Sequence, residues 1–154
     1  PLEDSDLVLR VFSDRRQCLV ASPSLLERCP HPIESPADLA ELPSMLLGTP
    51  QGEHTWHLLG PDAAQATIRH APRLVTLSMP ALRTAAIAGV GVVQLPHMMV
   101  RDCFASGELV HVLAEWEPRR GIIHAVYPSR RGQLPSVRAL LDFLAAQFEM
   151  LDED

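Results

Sequence analysis

The segment of residues 78–96, SMPALRTAAIAGVGVVQLP, constrains the fold more strongly than any other part of the chain. Ser78 suits a helix N-cap because its hydroxyl can accept a hydrogen bond from a free backbone N–H. Pro80 then falls in the first turn, where no backbone N–H is needed. Gly89 can adopt the left-handed conformation that ends a helix. The apolar run at 90–95 predicts a strand buried on both faces, as in a parallel sheet between helix layers.

This unit directs a helix N-terminus toward one edge of a sheet, where open α/β sheets bind small ligands. Ser78 lies at that helix start, and Thr49 lies at the end of a second predicted strand, 44–49. Both hydroxyls are therefore candidates for contact with a ligand such as a carboxylate. The alternative for Ser78 is a capping role alone.

The composition limits the classes of protein to consider. A chain of 154 residues with 47% apolar and 21% charged residues fits one globular domain, or one lobe with an appendage. The formal charge of −6 argues against binding of nucleic-acid phosphates by this chain. No apolar run approaches the roughly 20 residues needed to span a bilayer. Three widely spaced cysteines, Cys18, Cys29 and Cys103, predict a reduced, cytoplasmic setting.

Strand-like and helix-like segments alternate along the chain, which predicts an α/β layer fold with helices on both faces of the sheet. The predicted strands are 7–12, 17–21, 44–49, 55–58, 73–77, 90–95, 109–113 and 121–128. The predicted helices are 78–89, 97–107 and 135–150. In the last helix Val137, Leu140, Leu141, Leu144 and Phe148 recur at the spacing of an amphipathic helix.

No catalytic or metal-binding constellation emerges from the sequence. His54 and His57 have no companion ligand at a suitable spacing, so surface histidines in a loop are the preferred interpretation. Cys103 and His97 are six positions apart, which places them on different faces of a helix. The glycines at 89 and 91 follow a helix rather than open one, which is the wrong context for a nucleotide loop. We therefore expect no enzymatic activity, no cofactor and no metal.

Six segments in one order resemble the effector-binding domain of LysR-type transcriptional regulators. They are PLEDSDLVLRVF, CLVASPSLLERC, SPADLAEL, ALRTAAIAGVGVVQLP, GELVHVLAEWEP and VYPSRRGQLPSVRALLDFL, which together cover nearly all of residues 1–150. The resemblance implies a periplasmic-binding-protein type II-like lobe, with a mixed sheet flanked by helices on both faces. It also implies an incoming inter-lobe segment at 1–7, a second lobe at 8–132, and a C-terminal helix at 133–154 that returns to the first lobe. The N-terminal winged helix-turn-helix and most of the first lobe would be absent from this chain.

In that family a small-molecule effector binds between the two lobes. The resemblance transfers this site to three places, with the candidate residues Gly48, Thr49, Pro50, Ser78, Met79, Pro96 and His97. Met79 stands where many relatives have an aspartate, so the polarity of the ligand stays open. The implied partners are an effector such as an organic acid, further copies in a homodimer or homotetramer, and DNA only through the absent N-terminal domain. The alternatives are a transporter's solute-binding protein and an enzyme of related two-lobed fold.

Overall fold

A computed structural model of the chain describes residues 7–128 and 134–150. The strands are β1 (Leu7–Arg15), β2 (Gln17–Ala21), β3 (Ser44–Leu47), β4 (His54–Leu59), β5 (Gln65–His70), β6 (Pro72–Thr76), β7 (Val93–Pro96), β8 (Val110–His111), β9 (Glu117–Pro118) and β10 (Gly121–Pro128). The helices are α1 (Pro23–Leu26), α2 (Met79–Ile87), α3 (Arg101–Ser106) and α4 (Pro135–Glu149). Short 3-10 helices lie at Pro36–Glu41, Pro61–Ala63 and His97–Met99.

The chain divides into two compact units. The central unit is Arg16–Arg119, and the terminal unit contains the residues up to Arg15 and from Arg120 onward. Strands β1 and β10 thus belong with α4 in the terminal unit, and the division into lobes with a second lobe at 8–132 stays a prediction. The two strands pair with each other from Leu7 opposite Pro128 to Arg15 opposite Gly121.

The central unit is built on strands that run in mixed directions. β2 lies between β7 and β8 and is antiparallel to both. β3 pairs in parallel with β6, and a parallel bridge from Ser44 to Val92 joins β3 to the start of β7. β4, β5 and β9 form a separate antiparallel sheet. The α/β fold class with a mixed sheet is thus confirmed.

Two hydrophobic clusters cover the two faces of β2. On one face Cys18 and Val20 pack with Leu82 and Ala86 of α2. On the other face Leu19 and Ala21 pack in a cluster that also contains Leu25 of α1, Leu39 of the first 3-10 helix and Trp56 of β4. Because successive strand side chains point to opposite faces, one buried strand supplies both clusters. All of these residues are buried, and their exposure to solvent is at most 5%.

The helix–glycine–strand unit forms much as the sequence predicts. The Ser78 hydroxyl accepts from the Ala81 backbone N–H at 3.3 Å, and Gly89 follows α2 with a φ of +74°. Regular pairing in β7 begins later than predicted, at Val93. The preceding residue, Val92, forms the junction with β3: its N–H donates to the Pro43 carbonyl, and its carbonyl accepts from Met45, both at 2.8 Å.

Two other predicted elements are shorter than expected. Within the predicted strand 109–113, only Val110 and His111 form a strand. Leu113 adopts a φ of +55°, which turns the chain away from β2. The predicted helix 97–107 divides at Val100, whose φ of −126° and ψ of 1° are not helical. Gly107 ends the second piece with a φ of +76°, as its position predicts.

The terminal unit is a two-stranded antiparallel ladder with α4 packed on β1. The rings of Phe12 and Phe148 stack with centroids 5.7 Å apart, and Arg10 forms an ion pair with Asp142 at 2.8 Å. Of the amphipathic positions in α4, Leu141 is buried, whereas Leu140 is 55% exposed. A 15-residue helix cannot bury both neighbours against a two-stranded ladder, because adjacent positions diverge by about 100°.

Within the described part of the chain, no helix is long and apolar enough to cross a membrane.

Replacing Gly91 with alanine should break the junction between β3 and β7. The added methyl carbon would lie 2.8 Å from the Pro43 carbonyl oxygen, and overpacking of this kind costs about 1–3 kcal/mol of unfolding free energy. Hydrogen exchange should show lost protection at the Met45 and Val92 amides. As a control, Gly107→Ala meets no atom within 4 Å and should leave both amides protected, although its positive φ also lowers stability. Unchanged exchange at both amides in Gly91→Ala would contradict the prediction.

Candidate functional site

Three parallel strands end at the same edge of the central unit. β3 and β6 are parallel in register, with Leu47 opposite Thr76, and β7 runs in the same direction through the Ser44–Val92 bridge. Their carboxyl ends therefore share one edge, which we call the strand-end edge. The N-terminus of α2 begins here, directly after β6. Such an edge is where open α/β sheets bind ligands.

The structure brings Gly48, Thr49 and Ser78 together at this edge. The Gly48 N–H donates to the Thr76 carbonyl at 3.0 Å, and the Ser78 N–H donates to the Thr76 hydroxyl at 3.2 Å. Thr49 and Pro50 follow Gly48 and are exposed, as is Ser78. The polar groups of two neighbouring strand ends are thus held next to each other by direct hydrogen bonds.

The Ser78 hydroxyl can accept one hydrogen bond and donate another. One lone pair accepts the Ala81 N–H and caps α2. A hydroxyl also carries one O–H donor, which remains available for an acceptor atom beyond the helix. Among the backbone groups of the first turn, Pro80 has no N–H and the Leu82 N–H donates to the Ser78 carbonyl at 3.1 Å. The N–H groups of Ala81 and Leu82 are thus used within the helix start.

The remaining candidate residues, Met79, Pro96 and His97, have different surroundings. Met79 is partly buried and packs against the first hydrophobic cluster. Pro96 ends β7 at the strand-end edge, beyond which the His97 N–H donates to the Arg16 carbonyl at 3.0 Å. The His97 side chain lies in an aromatic cluster with Phe104 and His111, at centroid distances of 5.7 and 6.1 Å.

This aromatic cluster lies around β8 and α3. The rings of Phe104 and His111 stack with centroids 4.0 Å apart. Burial, followed by the charges of Arg16 and His97, lowers the pKa of His111 below the ordinary histidine value. A neutral His111 suits stacking on an apolar ring, so this cluster acts as packing between β8 and α3.

A pocket of about 380 Å³ opens beside the β4–β5 hairpin and β6. We call it the hairpin pocket. Its lining includes Glu53, His54, Arg69, His70, Pro72 and Val75. Pro50 also lines it and is the one predicted effector residue that does so.

His70 was missed by the sequence analysis, and His54 was assigned to a loop with His57. The structure places both His54 and His57 on β4, with His70 of β5 directly opposite His54. Residues three apart on a strand face opposite sides, so His57 points away and bonds to the Thr55 and Thr67 hydroxyls. The register of the β4–β5 hairpin places His54 opposite His70, and only a prediction of that register could have found the pair.

The cysteines show no arrangement for catalysis. Burial raises the pKa of Cys18 to about 12, which disfavours a thiolate. The buried Cys103 sulfur accepts a hydrogen bond from Arg83 Nε at 3.1 Å, and Arg83 also pairs with Asp102. The His97 ring stacks on Phe104. Within residues 7–128 and 134–150, no three His, Cys, Asp or Glu side chains group as metal ligands.

Comparison with known proteins gives one consistent result. The family described as the LysR substrate binding domain matches residues 1–149. The transcriptional regulator PtxR of Pseudomonas aeruginosa is 33% identical over 144 residues, which cover 92% of this chain and 45% of PtxR. CrgA of Neisseria meningitidis is 31% identical over 147 residues, which cover 95% of this chain and 48% of CrgA. This chain thus spans about half the length of these curated relatives.

Solved structures agree with this assignment. The full-length virulence activator AphB of Vibrio cholerae, a member of the LysR-type family, superposes with a TM-score of 0.73 at 26% identity. That match covers 95% of this chain and 49% of AphB. The structure of CrgA gives a TM-score of 0.72 at 28% identity, over 96% of this chain and 49% of CrgA. The chain belongs to the LysR substrate-binding domain family and has the fold of the regulatory domains of these regulators.

Proposed function

We propose that this chain senses a small-molecule effector and controls the DNA binding of a cytoplasmic, oligomeric LysR-type regulator. The observation that carries the proposal is the strand-end edge, where Thr49 and Ser78 lie at neighbouring strand ends in a domain of this family. A DNA-binding N-terminal domain in the same regulator would make the contact with DNA. The formal charge of −6 on this chain fits that division of roles.

The hydroxyl groups at this edge suit a ligand with acceptor oxygens, such as an organic acid. The Ser78 O–H remains a donor while its oxygen caps α2. Pro50 supplies an apolar surface beside Thr49, and Pro96 supplies another at the end of β7. A few convergent polar groups among apolar ones are typical of small-molecule sites.

The effector would transmit a signal by binding the open and closed forms of the domain with different affinities. In a two-lobed domain the ligand shifts closure only through contacts that differ between the open and closed forms. Closure would alter the spacing of the DNA-binding domains in a homodimer or homotetramer. The alternative of a transporter's solute-binding protein shares the fold, but the relatives reported above are transcriptional regulators, not transporters or enzymes.

A thermal-shift screen of aromatic and aliphatic acids against the intact regulator tests this function. An effector should raise the melting temperature in a concentration-dependent way, since binding at 100-fold excess over Kd adds about 2.7 kcal/mol. The same acid should change the affinity of the regulator for its DNA site, measured by fluorescence anisotropy. An acid that stabilises the protein without any effect on DNA binding would contradict the regulatory function.

Two substitutions at Ser78 should separate capping from ligand binding. Ser78→Ala removes the bond to Ala81 and should lower the free energy of unfolding by about 1 kcal/mol. Ser78→Asp retains an acceptor for that N–H, so urea unfolding should match the wild type. It also removes the O–H donor and adds a negative charge, so the acid found by the screen should bind more weakly. Wild-type affinity in Ser78→Asp would show that Ser78 only caps the helix.

A further inference from the structure

One side-chain hydrogen bond joins the β4–β5 hairpin to the start of β3. His70 Nδ1 bonds to the Ser44 hydroxyl at 2.8 Å, and Ser44 is fully buried. The His70 ring also stacks on the buried indole of Trp56, with centroids 4.0 Å apart and planes 12° from parallel. The ring is therefore held by a polar contact at one nitrogen and by an apolar contact over its face.

These surroundings suit a neutral His70 and oppose a charged one. A protonated imidazole carries an N–H on each nitrogen. His70 Nε2 is buried, and no acceptor among the described residues bonds to it, so its N–H would carry part of a buried, unpartnered charge. Such a charge is among the costliest groups to bury in a protein. Burial, and secondly the charge of His54, accordingly lowers the pKa of His70 below the ordinary histidine value.

The charged groups on the elements around His70 do not offset this cost. His54, directly opposite on β4, adds a like charge when it is protonated. The other charged side chains on or beside these elements are Asp38, Glu41, Glu53, Arg69 and Arg73. Asp38 accepts from the Ser35 N–H at 2.8 Å. Glu41 lies 3.9 Å from His31, Glu53 pairs with Arg69 at 3.6 Å, and Arg73 is exposed. Each of the three carboxylates is thus engaged away from the His70 ring.

We propose that His70 is an acid-sensitive switch, which joins the hairpin to β3 while neutral and rotates into the hairpin pocket when protonated. His70 lines this pocket, and the pocket's volume of about 380 Å³ can hold an imidazole ring. There the charged ring reaches water and lies near Glu53, which lines the same pocket. The Ser44 hydroxyl is then left buried without its partner, beside the bridge from Ser44 to Val92. This switch goes beyond the proposed function and does not depend on the strand-end edge.

The direction of the pH effect follows from the state that the fold prefers. The folded chain holds His70 neutral, whereas the unfolded chain protonates it at the ordinary pKa of about 6.5. The His70 contacts therefore stabilise the unit fully above about pH 6.5. That contribution is lost as the pH falls through the lower pKa of the folded state. Burial lowers the pKa of His111 as well, so global stability alone does not identify His70, and the test must resolve segments.

Hydrogen–deuterium exchange of the intact regulator at about pH 7.5 and about pH 5, read by mass spectrometry, provides that resolution. After correction for the intrinsic pH dependence of exchange, segments 44–47 and 54–70 should exchange at least about fivefold faster at the lower pH. The β1–β10 ladder should exchange equally at both. Unchanged exchange in the two segments, a uniform rise along the chain, or a rise confined to 101–111 beside His111 would overturn the proposal.

A double variant removes the switch while it keeps the packing. His70→Phe retains a ring for stacking on Trp56 but has no group to protonate, and Ser44→Ala removes the hydroxyl that would lose its partner. The pH response of segments 44–47 and 54–70 should fall to less than about a third of the wild-type value. His57→Phe is the matched control, because His57 is exposed on the same hairpin and bonds to Thr55 and Thr67 instead. A full response in the double variant, or a lost response in His57→Phe, would refute the assignment.

Crystal structures of the wild-type regulator at the same two pH values give a reading that needs no variant. At the lower pH the His70 ring should have left Ser44 and Trp56 and should lie in the hairpin pocket. A ring that still bonds to Ser44 at the pH where exchange has risen would contradict the switch. None of these measurements uses an effector, so the switch and the proposed function fail independently.

Discussion

The junction between β3 and β7 determines the geometry of the central unit. Two backbone hydrogen bonds of 2.8 Å, from Met45 to Val92 and from Val92 to Pro43, join a pair of parallel strands to a three-stranded antiparallel group. Gly91 makes this approach possible, because any side chain there would meet the Pro43 carbonyl. Without the junction, β3 and β6 have no fixed direction relative to β7, and their carboxyl ends no longer share an edge. The strand-end edge is thus a consequence of one backbone contact.

A second constraint acts through buried polar groups. Ser44 is fully buried, yet its hydroxyl needs a partner, and His70 provides it at 2.8 Å. The same residue pairs through its backbone with Val92 and opposes Pro72 of β6. One serine therefore connects the junction, the edge strand and the hairpin pocket. An apolar residue at this position would fit the core equally well in volume but would leave His70 Nδ1 unsatisfied.

Much of the fold follows from local sequence, whereas long-range pairing does not. The α2–Gly89 unit, β2 and β10 were predicted closely, because capping residues, glycine and runs of apolar residues act within a few positions. Leu113 and Val100 interrupt predicted elements through backbone angles that no local pattern specifies. The pairing of His54 with His70 depends on the register of the β4–β5 hairpin, and the sequence analysis did not predict β5. The effector residues proposed from the resemblance stay predictions, although Gly48, Thr49 and Ser78 do lie together.

The polar groups of the strand-end edge and the side chain of His70 are held in different ways. At the strand-end edge the hydroxyls are exposed, and the Ser78 oxygen already caps α2, so a ligand competes with water for the hydroxyl donors. The His70 ring is instead held by its hydrogen bond to Ser44 and by stacking on Trp56, and its Nε2 atom is buried. Exposed hydroxyls of this kind hold a ligand firmly only where water is excluded from them.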